Sequence, residues 1–302
     1  MLLRALVVAS FLLSSFVCPA APPTQNSLHF RLQDNLILVP IVLDGHTVDA
    51  VLDSGTGDVG IDRTFAASLG LKAGQSIGIV PGGGKPEPTY PVTLQKLDFG
   101  PEHLTHLPAF ALDLSQISSS AGFPVNVLLG RPVFEGHVLR IDYPVRTIVI
   151  LPEDDRPACA HPIPFTFYGG DPMIAVTLRA TATSRPQILH LIVDLGTRHY
   201  PAMIGGAFLN TPGGQALQKA SHRSQVGAGT GGIIMGREVT VDDLRVGSQH
   251  FPSLTVALTS HVIAFQSGVA DGSLGAPLWN NGVITFDYPH RTVCMDLPQG
   301  KK

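Results

Sequence analysis

An all-β, two-lobed architecture is what the sequence predicts, on three observations. Glycine and proline are abundant, at 32 and 25 of 302 residues, and no segment shows a long amphipathic helical pattern. Apolar runs are short and end in turn signals. Two stretches also repeat each other without a gap. LGRPVFEGHVLRIDYPVRTIVI (129–150) aligns with LGAPLWNNGVITFDYPHRTVCM (274–295), keeping an Asp-Tyr-Pro-x-Arg-Thr turn in register. Each copy reads as strand, turn, strand, with Asp142 and Asp287 fixing the turns before proline.

The elements follow in order. Leu28–Leu32 alternates as a strand does. Leu36–Leu43 is an apolar run closed by Asp44-Gly45, a hairpin signal, and Thr47–Leu52 returns. Short helical turns are expected at Arg63–Leu69 and Gly214–Ala220. The return strand enters Asp53-Ser54-Gly55-Thr56, where an aspartate ends an apolar run before a turn of small residues. A carboxylate there is desolvated unless something hydrogen-bonds it. If the duplication is complete, a second such stretch is required. It is present in HLIVDLGTRHYPAMI (190–204), where Asp194 follows Leu191-Ile192-Val193 and precedes Gly196 and Thr197. The Asp53–Asp194 spacing nearly equals that of the downstream repeat. The lobes are therefore expected at 21–152 and 164–302, joined by a charged, proline-rich linker at 153–163.

Composition narrows the function classes. Charged residues make up 14% and the net charge is -3. No basic run exists, so nucleic acid is not an expected partner. Residues 1–20 read as a signal peptide, with Arg4, an apolar run from Ala5 to Val17, and small residues before cleavage after Ala20 or Ala21. Cys18 as a lipid-anchor site is the weaker reading, because Val17 precedes it. No other stretch is long and apolar enough to span a bilayer. An exported protein, periplasmic or extracellular, is expected. Little chain separates the signal from the first strand, so no long prosegment is expected. Cys159 and Cys294 then either pair as a disulfide or remain two separate buried thiols.

Two lobes, each with Asp-x-Gly-Thr after an apolar strand and a later apolar-apolar-Gly segment, resemble the aspartic proteases of the pepsin and retroviral-protease type. The later segments are Val127-Leu128-Leu129-Gly130 and Ser273-Leu274-Gly275. The resemblance covers nearly the whole mature chain, and the lobes look closer to the compact retropepsin-like type. It implies paired acid-protease β-barrel lobes around an interlobe cleft, and a catalytic dyad of Asp53 and Asp194. Two close carboxyls share a proton, and the pair activates water against a peptide bond without metal or cofactor. By the same resemblance Gly55 and Gly196 let the backbone turn at the dyad. Thr56 and Thr197 would orient the carboxylates, and Ser54 would reach across to the opposite loop. Leu195 departs from the pattern, which wants Ser or Thr there, so one reciprocal hydroxyl bond is missing. Flaps are expected at Gly82-Gly83-Gly84 and around Gly227 and Gly229, with Tyr90 a candidate flap tyrosine.

The expected substrate is a peptide or protein. A monomer suffices, since one chain supplies both aspartates; the rival is a dimer in which each lobe pairs with another molecule's. The main rival is a non-catalytic binding or scaffold protein keeping the fold, favoured by Leu195. Other motifs carry less. Gly227-x-Gly229-x-x-Gly232 matches a dinucleotide fingerprint, yet the residues after it read as a hairpin rather than a helix. His103-x-x-His106 lacks a third ligand nearby. No Gly-x-Ser-x-Gly elbow occurs.

Overall fold

A computed structural model describes residues 26–80, 83 and 87–298. The expected signal segment, Gly82 and Gly84 lie outside these. In chain order the first lobe runs β1 (Ser27–His29), β2 (Arg31–Gln33), β3 (Leu36–Leu43), β4 (His46–Leu52), β5 (Val59–Asp62), β6 (Gly78–Val80), β7 (Glu87–Phe99), β8 (Glu102–Leu112), β9 (Val127–Leu129), β10 (His137–Asp142) and β11 (Thr147–Pro152). The second runs β12 (Ile163–Pro164), β13 (Thr166–Tyr168), β14 (Asp171–Arg179), β15 (Gln187–Val193), β16 (Ala202–Ile204), β17 (His222–Gly229), β18 (Gly232–Val246), β19 (Gln249–Leu258), β20 (Gly272–Leu274), β21 (Val283–Asp287) and β22 (Thr292–Asp296).

Two eight-stranded sheets share one plan. The first is ordered β2-β3-β4-β9-β5-β8-β7-β6, the second β13-β14-β15-β20-β16-β19-β18-β17. In each, the strand that leads to the aspartate lies parallel to the short strand before the Leu-Gly segment. Leu52 pairs with Leu129, and Val193 with Leu274. The fold is all-β and bilobal.

Local chemistry accounts for the elements. The Asp44-Gly45 turn has positive φ at both residues, 46° and 86°, as a two-residue hairpin turn requires. Asp62 caps α1 (Arg63–Ser68), accepting from the amides of Thr64 and Phe65. The helix α2 (Ser115–Ala121) has no side-chain cap and poor helix formers, which is why it gives little sequence signal. The helix α3 (Pro212–Ala220) starts on a Thr211 cap with proline in its first turn. The alternating stretch 28–32 is not one strand. Phe30 is buried and its amide turns to the Arg146 carbonyl, so β1 joins a different sheet from β2.

That third sheet joins the lobes, ordered β1-β11-β10-β21-β22-β12. Its centre is the repeated segment: β10 pairs antiparallel with β21, Val138 opposite Asp287 and Asp142 opposite Val283. Asp142 Oδ1 accepts from the Val145 amide and Asp287 Oδ1 from the His290 amide, so both aspartates hold turns. Arg146 and Arg291 close those turns at positive φ. Beneath, Trp279, Phe134 and Phe286 are fully buried in a core continuous through both lobes. Trp279 Nε1–H donates to the Tyr143 hydroxyl at 3.2 Å.

Cys159 and Cys294 form a disulfide with Cα atoms 6.0 Å apart. It ties the segment after β11 to β22 across a separation of 135 residues. Replacing both cysteines by serine is expected to lower unfolding stability by roughly 2–5 kcal/mol, through the greater freedom of the unfolded chain. Denaturant unfolding reads this directly; an unchanged midpoint would show that the bridge contributes no stability.

Candidate active site

The two aspartates emerge at equivalent places and meet across the lobe boundary. The Asp53 amide donates to the Leu129 carbonyl (2.9 Å), and the Asp194 amide to the Leu274 carbonyl (3.0 Å). Each loop is pinned again further on, Arg131 N–H to Thr56 O (3.0 Å) and Ala276 N–H to Thr197 O (2.8 Å). Gly130 and Gly275 sit under these loops. A Cβ on Gly130 would lie 2.2 Å from the Thr56 carbonyl oxygen, and one on Gly275 2.5 Å from that of Thr197. That close approach is the reason for glycine in both Leu-Gly segments.

Gly55 and Gly196 serve the dyad itself. A Cβ on Gly55 would fall 2.5 Å from Asp194 Cγ, and one on Gly196 2.7 Å from Asp53 Oδ2. Each carboxyl therefore rests against the other lobe's glycine, and the two carboxyls act on each other's ionisation. Ser54 is buried between the loops. Its Oγ–H donates to the Val193 carbonyl at 2.7 Å and its oxygen accepts from the Leu195 amide at 3.1 Å.

The shells around the two carboxyls differ. Asp194 Oδ1 accepts from the amides of Gly196 (2.7 Å) and Thr197 (3.1 Å), and Oδ2 from the Thr197 hydroxyl (2.6 Å). Thr197 Oγ1 also bonds Ser273 Oγ at 2.9 Å. Asp53 Oδ1 accepts the Gly55 amide at 2.9 Å. Thr56 is not seen donating to Asp53, which corrects the expectation of paired threonine supports. Its partner position beneath the loop is Leu128, where the second lobe has Ser273. Both carboxyls touch the cleft, yet the packing around them is dense. Burial raises both pKa values, and for Asp53 the charge of Asp194 adds to it. Three hydrogen-bond donors offset the rise at Asp194, so Asp53 is raised further.

The missing hydroxyl at Leu195 leaves no hole. Leu195 is fully buried and belongs to the continuous apolar core, while its amide still reaches Ser54. A second clamp replaces part of the lost symmetry, and nothing in the sequence pointed to it. Arg198 is buried; it ion-pairs with Asp34 at 2.6 Å and donates to Ser120 Oγ at 2.6 Å. Asn35 Nδ2–H donates to the Arg198 carbonyl at 2.9 Å. The second loop is thus fastened to the first lobe's β2–β3 turn and to α2.

The dyad lies at the floor of a cavity of about 810 Å³. Gly83, Gly227 and Gly229 line it, from loops of opposite lobes that touch: the Gly231 amide donates to the Gly83 carbonyl at 3.0 Å. Tyr90 is not part of this lining. Strand alternation turns Thr89 to the cavity and Tyr90 away, under the Arg63 guanidinium at 5.6 Å. The Gly227–Gly232 fingerprint is the turn of the β17–β18 hairpin, with no helix after it. His103 pairs with Asp98 at 2.6 Å on the surface.

Comparison with known proteins bears on the first lobe. A family model described as aspartyl protease matches residues 39–133, a stretch that includes Asp53 and Gly130. Over those residues the chain is similar to aspartyl proteases. A retropepsin-like aspartic protease from Rickettsia conorii is similar at 18% identity over 41% of this chain and 87% of that one, with a TM-score of 0.31. No curated protein matches. The family match ends before Asp194, so the second aspartate enters through the common order of the two sheets. Among the described residues no helix is long and apolar enough to cross a membrane.

Proposed function

We propose that the chain is an aspartic endopeptidase that hydrolyses peptide bonds with water activated by Asp53 and Asp194. One observation carries the reading: each carboxyl is seated on the other lobe's glycine and lines a cavity of about 810 Å³ between the lobes. Asp194, with three donors, acts as the base and takes a proton from water. Asp53 donates its proton to the scissile carbonyl oxygen as the water oxygen bonds to carbon. The resulting geminal diol collapses. Asp194 passes its proton to the leaving nitrogen, a hydroxyl proton returns to Asp53, and the carbon–nitrogen bond breaks. The touching glycine loops act as flaps that exclude water. The rival reading as a pure binding protein loses its main support, because Leu195 keeps its loop in register.

Export fits the same picture. The Cys159–Cys294 disulfide suits an oxidising compartment, periplasmic or extracellular. We assign the active species as the monomer, both aspartates coming from one chain.

The test is digestion of an unfolded protein across acid to neutral pH, with new termini read by mass spectrometry. Cleavage is expected in acid, and a peptide with a secondary alcohol in place of the scissile amide should block it. A folded protein that cleaves at no pH would overturn the proposal. Thr197→Val probes the base. Loss of the hydroxyl removes a donor from ionised Asp194 and raises its pKa. Activity requires Asp194 ionised, so the acid limb of kcat/KM should move to higher pH, by about one to two units. An unmoved acid limb would assign the base elsewhere.

A further inference from the structure

The two lobes differ at one pair of equivalent positions beside the dyad. Each lobe opens with a hairpin whose two-residue turn reaches the opposite catalytic loop. In the first, Gln33 pairs with Leu36 across the Asp34-Asn35 turn; in the second, Tyr168 pairs with Asp171 across Gly169-Gly170. The Asp34-Asn35 turn meets Arg198, and the Gly169-Gly170 turn packs on Gly57. Leu36 and Asp171 are therefore counterparts, and both line the cleft. Leu36 is buried among Val51, Leu112 and Leu128, an apolar wall. The second lobe sets a carboxyl in the matching place.

Among the described residues no group neutralises that carboxyl. Asp171 Oδ1 is buried without a hydrogen-bond partner. The charges that act on it are Asp194 and Asp58, both anionic. Its charge is felt in turn at Asp53 and at the buried hydroxyl of Tyr288. The cations nearby make their bonds elsewhere, except that Arg131 Nε–H is itself buried without a hydrogen-bond partner. Arg131 lays its stem against Gly170 but turns its guanidinium to Glu135 (2.6 Å) and over the Phe167 ring. Arg198 is held by Asp34, and His199 Nε2 lies 3.5 Å from the same carboxylate. Burial first, then Asp194 and Asp58, lift Asp171 to about 7. An acid so placed is neutral in the acid range, and a bound cation would ionise it by supplying the counter-charge that the described residues do not.

We propose that Asp171 is a specificity-determining residue that receives a lysine or arginine side chain of the peptide substrate, on the second-lobe side of the scissile bond and opposite the apolar wall at Leu36. The inference rests on the endopeptidase reading. The cleft would then read a basic residue on one side and an apolar residue on the other.

The test begins with the cleavage sites in an unfolded protein digest, followed by two peptides differing only as lysine or norleucine at the enriched position. The wild type should favour lysine by about 10- to 100-fold in kcat/KM. Asp171→Asn should bring that ratio near one whatever its absolute rate, and Asp171→Lys should favour glutamate over glutamine there. Calorimetric titration of both peptides into Asp53→Asn protein reads the subsite without turnover. Cleavage with no basic preference and equal binding would overturn the proposal and leave the protease reading standing. No cleavage, with tighter lysine-peptide binding that Asp171→Asn removes, would sink the protease reading and support the subsite. A lysine preference that survives Asp171→Asn would overturn the assignment to this residue.

Discussion

Asp53→Asn and Asp194→Asn are each expected to abolish proteolysis, by roughly a thousandfold or more, because either change removes one half of a proton relay. The two losses have different origins. Asparagine at 194 cannot take the proton of water. Asparagine at 53 still offers an N–H to the carbonyl oxygen but cannot give up a proton. Loss on either substitution alone, with the other active, would mean that the lobes do not share a site. Both variants should remain folded, and thermal unfolding gives an independent check. An unperturbed aspartate ionises near 3.8, and both dyad members are raised above that in the folded chain. The folded state thus holds protons that the unfolded state releases. Dyad stability is full below 3.8 and is lost as pH rises through the folded values. Neutral asparagine removes this loss. Each variant should therefore gain stability over the wild type at neutral pH and approach it in strong acid, where the carboxyls are protonated in both states.

Gly55→Ala is the next largest effect expected. The added methyl would sit 2.5 Å from Asp194 Cγ and Oδ1. Neither atom is the far end of a flexible chain, since Gly196, Thr197 and Asp53 all hold the carboxyl. The loops must part. A displacement of about 1 Å at a reacting group costs on the order of a hundredfold in rate. Gly196→Ala should act alike against Asp53, its methyl 2.7 Å from Oδ2. Overpacking would lower stability by about 1–3 kcal/mol, so circular dichroism should still report a folded protein. Full activity in either variant would contradict the seating of each carboxyl on the opposite glycine.

The strands and the duplication were legible because alternation, turn chemistry and repeated segments are local. The meeting of Asp53 and Asp194 was legible because their motif occurs twice. What the sequence hid is contact between distant residues. Phe30 broke one apparent strand into two sheets, and only the position of Arg146 explains it. The β10–β21 pairing that joins the lobes is a choice of partner, which periodicity does not encode. The Arg198–Asp34 clamp unites a loop and a turn from opposite lobes. Two matching Thr residues also concealed unequal surroundings, Leu128 under one loop and Ser273 under the other. Tyr90 is a different case. Alternation along β7 was available and would have pointed to Thr89 as the inward residue.

The sheet shared by the lobes also sets when the site comes into being. Its central pair, β10 with β21, joins residues nearly half the chain apart, and β22 and the Cys294 bridge follow β21. Such distant pairing is slow, since the entropy of closing the intervening chain is lost before the contacts repay it. Each lobe can complete its own eight-stranded sheet earlier, with its aspartate alone and no partner carboxyl to share a proton. On the endopeptidase reading, a nascent or half-folded chain is then inert toward its neighbours, and hydrolytic power arrives as one of the last events of maturation.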